Sequence, residues 1–184
     1  MKVLRVPLKL KFYYLLSRLI QKNKTPNFSM DSPREIRDGE EFALETLKTY
    51  LLENNINADD LSIKQFPSGY SNLTYFLKSS SEEFVLRRPP FGAKSLQGGH
   101  DMFREYNVLK NLKSQFLKVP DVYLYCDNSE IIGAPFYLME RVKGYIIRPN
   151  LQQKDSPGKE VIQNVSKSLV STLVELHNVD IDQA

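Results

Sequence analysis

Residues 84–90 read FVLRRPP: an apolar run that ends in two arginines and two prolines. The run predicts a buried strand, and Pro89 and Pro90 end it, because proline has no N–H to give to a ladder. Side chains alternate along a strand, so Val85 and Arg87 share one face while Phe84 and Leu86 share the other. Pro89 next door leaves Arg88 as a rival to Arg87. Just upstream, LTYFLKS (73–79) is β-rich, and the polar SSSEE between the two runs makes them a hairpin. LSIKQFP (61–67) alternates and joins the hairpin through PSGYSN (67–72), which gives a three-stranded meander.

Helical periodicity brackets this meander. DGEEFALETLKTYLLEN, from Asp38, predicts a helix with Phe42, Leu44, Leu47, Leu51 and Leu52 as its apolar stripe and acids in its first turn. After the loop PPFGAKSLQGGHD, the segment DMFREYNVLKNLKSQF (101–116) predicts a second helix. Met102, Tyr106, Leu109 and Leu112 line its apolar face, and Asp101 or His100 stands near the N-cap. Three short strands are then expected: VYLYC (122–126), a weaker EIIG (130–133) and PFYLMERV (135–142). A third long helix follows in SPGKEVIQNVSKSLVSTLVELHNVD, with Val161, Val165, Leu169, Leu173 and Leu176 as a buried stripe. The order lacks the βαβα rhythm of a doubly wound sheet. It predicts an α+β domain: an antiparallel sheet of about five strands with one inserted helix.

The 184 residues are 41% hydrophobic and 26% charged, enough to bury a core. The net charge of +3 is unevenly spread. Lys2, Arg5, Lys9, Lys11, Arg18, Lys22 and Lys24 fall in the first thirty residues, which hold no acid; the remainder carries 18 basic against 22 acidic residues. Nothing about this mildly acidic body suggests a nucleic-acid surface, and no nucleic-acid partner is expected. Cys126 is the sole cysteine, so no internal disulfide forms; it is expected to be a part-buried small residue. That fits a reducing, cytoplasmic setting. The two histidines, His100 and His177, form no metal-ligand spacing with it and are expected to be structural.

Residues 1–29 form a basic amphipathic extension, with Phe12, Leu15, Leu16, Leu19 and Ile20 at helical spacing. Lys11 and Arg18 interrupt the apolar run, so it cannot span a bilayer. Three readings stand: a helix on anionic lipid, an organelle-import segment, or an extension outside the folded domain. The third is favoured, because MDSPREIRDGEEF from Met30 looks like a domain start.

FPSGYSNLTYFL, FVLRRPPFGAK, HDMFREYNVLKNL and IIGAPFYLMERVKG occur in this order, and the likeness they carry runs from about Met30 to the end, some 155 residues. Together they resemble the N-terminal part of the aminoglycoside-phosphotransferase-like family, whose fold is protein-kinase-like. Bacterial phosphotransferase-family proteins and the kinase-like domain fused to some acyl-CoA dehydrogenases are similar in pattern. The resemblance implies an N-lobe with its leading helix over 30–140. The hinge and the start of a C-lobe follow over 141–184. It also implies transfer of the ATP γ-phosphoryl group to a hydroxyl of a small molecule, with Mg²⁺ in the complete enzyme.

The resemblance assigns roles residue by residue. SGYSN takes the place of the Gly-rich loop, where Gly69 allows close backbone approach and Ser68 and Ser71 add hydroxyls. Arg87 takes the place of the phosphate-binding lysine, and its fork suits phosphate oxygens. Val85 roofs the adenine, and Phe84 and Leu86 pack toward the helix. Glu105, near the buried face of the second helix, pairs with Arg87 and fixes it. Met139 backs the adenine pocket, and the Glu140 carbonyl and Val142 N–H bind its edge. The family's catalytic loop carries a His-Gly-Asp run followed by an Asn that binds Mg²⁺. This sequence contains no such run, and HNVDID (177–182) does not match it. No catalytic or metal residue is therefore assigned, the chain alone is expected to be inactive, and uncovered apolar surface is expected on the last helix. A non-catalytic kinase-like binding module is the alternative, and a membrane-surface adaptor led by residues 1–29 is a third.

Overall fold

The computed structural model describes residues 32–67, 71–92, 100–144 and 158–180. The extension 1–29 and the proposed start at Met30 lie outside them. Nine elements follow in chain order among the described residues: α1 (Leu44–Glu53), β1 (Ser62–Gln65), β2 (Leu73–Lys78), β3 (Glu83–Arg88), α2 (Met102–Leu112), β4 (Val122–Cys126), α3 (Ser129–Ile132), β5 (Phe136–Glu140) and α4 (Lys159–His177). The strands form one sheet in the order β1-β2-β3-β5-β4, with every neighbouring pair antiparallel.

Register divides this sheet into two faces. Thr74 lies opposite Arg87, Arg87 opposite Tyr137, and Tyr137 opposite Tyr125, so these four side chains share a face. Phe76, Val85 and Met139 continue that face toward the other end of the strands. The opposite face holds Leu73, Tyr75, Leu77, Phe84, Leu86, Phe136 and Leu138, which form the core with Leu47 and Leu51 of α1 and Ile132 of α3. Phe84 and Leu86 thus pack toward α1 and α3, not toward the inserted helix, which lies on the other face. The inserted helix α2 lies on the Arg87 face, where Phe103 and Tyr106 pack on Tyr125 at ring separations of 5.1 and 5.8 Å.

Four details depart from the sequence reading. Helix α1 starts at Leu44, not Asp38. Glu40 is held instead by the sheet: its carboxylate accepts from the Gln65 amide and pairs with Arg37, and its carbonyl accepts from the Tyr75 hydroxyl at 2.7 Å. Leu52, placed in the buried stripe, is 43% exposed. EIIG is not a strand but the end of the short helix α3: Asn128 caps it by accepting from the Glu130 N–H, and Gly133 ends it at φ +82°. Helix α4 forms, but Val161, Val165, Leu169, Leu173 and Leu176 are not buried. No helix among the described residues is long and apolar enough to cross a membrane.

Candidate functional site

The site is built where β2, β3, β5 and α2 converge on the Arg87 face. Asp101 caps α2, its carboxylate accepting from the Arg104 N–H at 2.9 Å, and its carbonyl accepts from the Glu105 N–H at 3.1 Å. That cap fixes the first turn, and Glu105 projects from it toward the sheet. An acid in a first turn also suits the helix dipole. Arg87 Nε lies 3.3 Å from Glu105 Oε2, with the side chains 31% and 28% exposed. The approach is close enough for an ion pair but misaligned for a hydrogen bond, so Nε is buried without one among the described residues.

Two buried groups hold the Glu105 carboxylate. Asn72 Nδ2 donates to Oε1 at 2.9 Å, and the Tyr137 hydroxyl donates to Oε2 at 3.0 Å. Burial is the main cause that pushes the Tyr137 hydroxyl pKa up; Arg87 opposes the shift and Glu105 adds to it. The hydroxyl therefore stays protonated and remains a donor. Asn72 Oδ1 in turn lies 2.7 Å from His100 Nδ1. Asn72, Tyr137 and this contact of His100 were not singled out from the sequence. Asn72 could have been: it stands two residues before Thr74, so strand alternation carried one step outward puts it on the Arg87 face.

Arg88 is not on this face. It is 1% exposed, donates from Nη1 to the Ile132 carbonyl at 2.6 Å, and lies 3.7 Å from the Phe91 ring centre. Burial lowers its pKa from the ordinary arginine value. The alternation from Val85 through Arg87 thus survives to the strand end, despite Pro89.

Beyond Arg87 the face turns apolar, with Phe76, Val85 and Met139 side by side. Val85 stands in the middle of that strip, opposite Phe76 and Met139. At the far end the Arg141 guanidinium sits 4.2 Å from the Phe76 ring centre, and Arg141 and Lys143 pair with Glu83 at 3.1 and 2.7 Å. The hydrogen bond from Lys143 holds the Glu83 carboxyl below the usual carboxylate range; burial opposes that and Arg141 adds to it. Beside this cluster a hollow of about 380 Å³ opens at the β2–β3 turn, lined by residues 78–83, which include Glu82 and Glu83, together with Arg141 and Lys143. It lies at the opposite end of β3 from Arg87.

Of the remaining residues assigned from sequence, Ser68 and Gly69 lie outside the described residues. Ser71 is exposed, just before Asn72. Glu140 closes β5; its N–H donates to the Asp121 carbonyl at 2.7 Å and its carboxylate accepts from the Asp121 N–H at 3.2 Å. This ties the end of β5 to the approach to β4. Val142 follows in an irregular stretch and is 62% exposed. Cys126, expected to be part-buried, is buried at 3% exposure, with its sulfur 3.7 Å from the Asn128 carbonyl oxygen. Among the described residues no group of His, Cys, Asp or Glu could hold a metal ion.

On this face of the sheet a paired cation thus lies beside an apolar strip, with the inserted helix above it. The model of the phosphotransferase enzyme family matches residues 62–184, and the chain belongs to that family. It is 38% identical over 152 residues to acyl-CoA dehydrogenase family member 11 of Rattus norvegicus, covering 80% of this chain and 19% of that protein. It is 30% identical over 158 residues to acyl-CoA dehydrogenase family member 10 of Mus musculus, covering 84% and 14%. The chain therefore spans less than a fifth of the length of these curated relatives. A crystal structure provisionally described as an aminoglycoside phosphotransferase, from Ralstonia eutropha, is 30% identical with a TM-score of 0.49, over 61% of this chain and 32% of that one.

Proposed function

We propose that this chain supplies the nucleotide-binding lobe and hinge of an ATP-dependent phosphotransferase acting on a hydroxyl of a small molecule. The observation that carries the reading is the Arg87–Glu105 ion pair, made between a sheet strand and the inserted helix on the face that also holds Val85 and Met139. In this reading Arg87 holds phosphate oxygens as a fork of donors, and Glu105 keeps that fork aimed into the cleft. Val85 and Met139 contact the adenine, with the main chain at Glu140 and Val142 along its edge. Ser68, Gly69 and Ser71 are assigned to the phosphates in the same reading.

ATP and Mg²⁺ fit this donor set unequally. A buried, under-bonded Arg87 Nε beside an apolar strip suits the nucleotide. The described residues offer no carboxylate cluster for the cation. When bound, the nucleotide supplies the phosphoryl group; the residues of this chain bind and orient it. The 184 residues contain no His-Gly-Asp run to position a hydroxyl, so we further propose that this chain alone does not turn ATP over.

Calorimetric titration with Mg·ATP, followed by assay of ATP consumption with a panel of small hydroxyl compounds, tests both parts. Binding that Arg87→Ala weakens by about 10-fold or more, the scale of one charged hydrogen bond, is expected, with no turnover. Absence of binding by the native chain would overturn the first part, and turnover the second.

A further inference from the structure

The contacts beyond the Arg87–Glu105 pair carry an inference that rests on this nucleotide-binding reading and deepens it. Asn72 is 3% exposed and bridges two elements that the ion pair does not reach. A carboxylate only accepts hydrogen bonds, so the Asn72 amide must turn its Nδ2 toward Glu105 Oε1, at 2.9 Å. That leaves Oδ1 facing His100 Nδ1 at 2.7 Å, and an amide oxygen only accepts. His100 Nδ1 therefore carries the proton. The polarity of the whole chain is fixed from one end to the other: His100 to Asn72, Asn72 to Glu105, with Tyr137 donating to the second oxygen of the same carboxylate.

We infer that Asn72 and His100 are positioning residues for the phosphate-binding arginine, acting through Glu105. Among the described residues neither forms an ion pair or hydrogen bond with Arg87. The ion pair alone fixes one carboxylate oxygen at 3.3 Å with poor alignment, and a carboxylate held at one point can rotate. Asn72 pins the other oxygen and so sets the plane in which Oε2 faces Arg87. Asn72 stands directly before β2, and His100 stands two residues before α2. The relay therefore ties the start of β2 to the start of the helix that carries Glu105.

The test combines nucleotide affinity with a readout that needs no ligand. The Arg87 Nε–H resonance in spectra of ¹⁵N-arginine-labelled protein, assigned by its loss in Arg87→Lys, reports the pairing directly. Asn72→Ala is expected to lower Mg·ATP affinity about five- to tenfold, a fraction of the value of a hydrogen bond to a charged group, and to shift the Arg87 resonance. The effects of Asn72→Ala and Glu105→Gln should not add: the double variant should match Glu105→Gln alone in both readouts. His100→Ala should shift the same resonance in the same direction, whereas His100→Gln, which keeps a donor, should restore the native signal. His100 is at the surface edge of the network, so these two variants probe the relay without opening a buried site.

Additive losses from Asn72→Ala and Glu105→Gln, or an Arg87 resonance unmoved by Asn72→Ala and His100→Ala, would overturn the inference. Should the native chain bind no nucleotide, the nucleotide reading fails, while the resonance series still decides the relay.

Discussion

Arg87 and Arg88 are neighbours in the chain with opposite environments, and the difference is set by strand alternation alone. Arg88 fills the core side, 1% exposed, with Nη1 on the Ile132 carbonyl and Nε on the carbonyl of Pro89 at 3.1 Å. Removing it leaves a cavity and a buried carbonyl short of a donor, so Arg88→Ala should cost about 2–4 kcal/mol of stability. Arg87 is a third exposed and its pair is only partly desolvated. Arg87→Ala should change stability by less than about 1 kcal/mol while weakening nucleotide binding. Urea unfolding and calorimetric titration of both variants check the pair: two adjacent, chemically identical residues should separate into one stability phenotype and one binding phenotype. Glu83 gives a prediction of a different kind. Lys143, opposed by burial and helped by Arg141, depresses its folded-state pKa below the ordinary value of 4.5. The unfolded chain therefore binds a proton first as pH falls, so the Glu83 contribution is present above pH 4.5 and is lost below it. Glu83→Gln should lower the unfolding midpoint at neutral pH and flatten its decline in acid, with native and variant curves converging at the acid end.

At the scale of elements, what sequence reveals depends on how many residues share a pattern. The meander was legible because its runs are β-rich and separated by turn residues; Val85 and Arg87 could be set on one side of a sheet from alternation, whereas Glu105, on a helix, was set beside Arg87 only by the family resemblance. Helix α3 was not legible, because its four residues are too few for a 3.6-residue period to register. Its ends did carry the signal: Asn128 before it and Gly133 after it are capping chemistry on both sides. Gly133 has a left-handed backbone at φ +82°, and an added Cβ would stand 3.9 Å from Arg88 Nη1, so space is adequate and the backbone is the obstacle. Gly133→Ala should cost about 1 kcal/mol through that conformation. Because Arg88 bonds the last carbonyl of the same helix, the loss should be smaller in an Arg88→Ala background; a double-mutant cycle by urea unfolding measures it. Helix α1 failed at its start for a tertiary reason. Local acids and apolar spacing favoured a helix from Asp38, but Glu40 is drawn into contacts with Gln65 and Tyr75, which are distant in sequence. Asn72 and Tyr137 were missed for a related reason: each acquires its role only when the helix that carries Glu105 is brought over the sheet.

At the scale of the whole molecule, α4 presents the largest departure from an ordinary packed domain. Its connection to the rest is polar and near one end: Lys118 pairs with Glu175 and donates to Thr172, and Gln115 exchanges two hydrogen bonds with the Asp180 backbone at 3.0 Å. Its apolar residues meet little. Leu169, Val170 and Val174 are 60%, 61% and 55% exposed, and Leu173 is 44% exposed. Periodicity identified which residues belong on one side of this helix but could not say whether anything packs against that side. A contiguous apolar stripe of this kind exceeds the scattered exposed side chains of a typical soluble monomer. A polypeptide of these 184 residues should therefore associate with itself through α4 as concentration rises. Sedimentation velocity from micromolar to hundreds of micromolar should show mass increasing with concentration. Leu169→Lys with Leu173→Lys should return the species to a monomer. Neither residue is near Arg87 or the cluster around Glu105, so Mg·ATP affinity should be unchanged in the same double variant. Persistence of the larger species in that variant would mean that association runs through another surface, and that α4 is not the face that requires a cover.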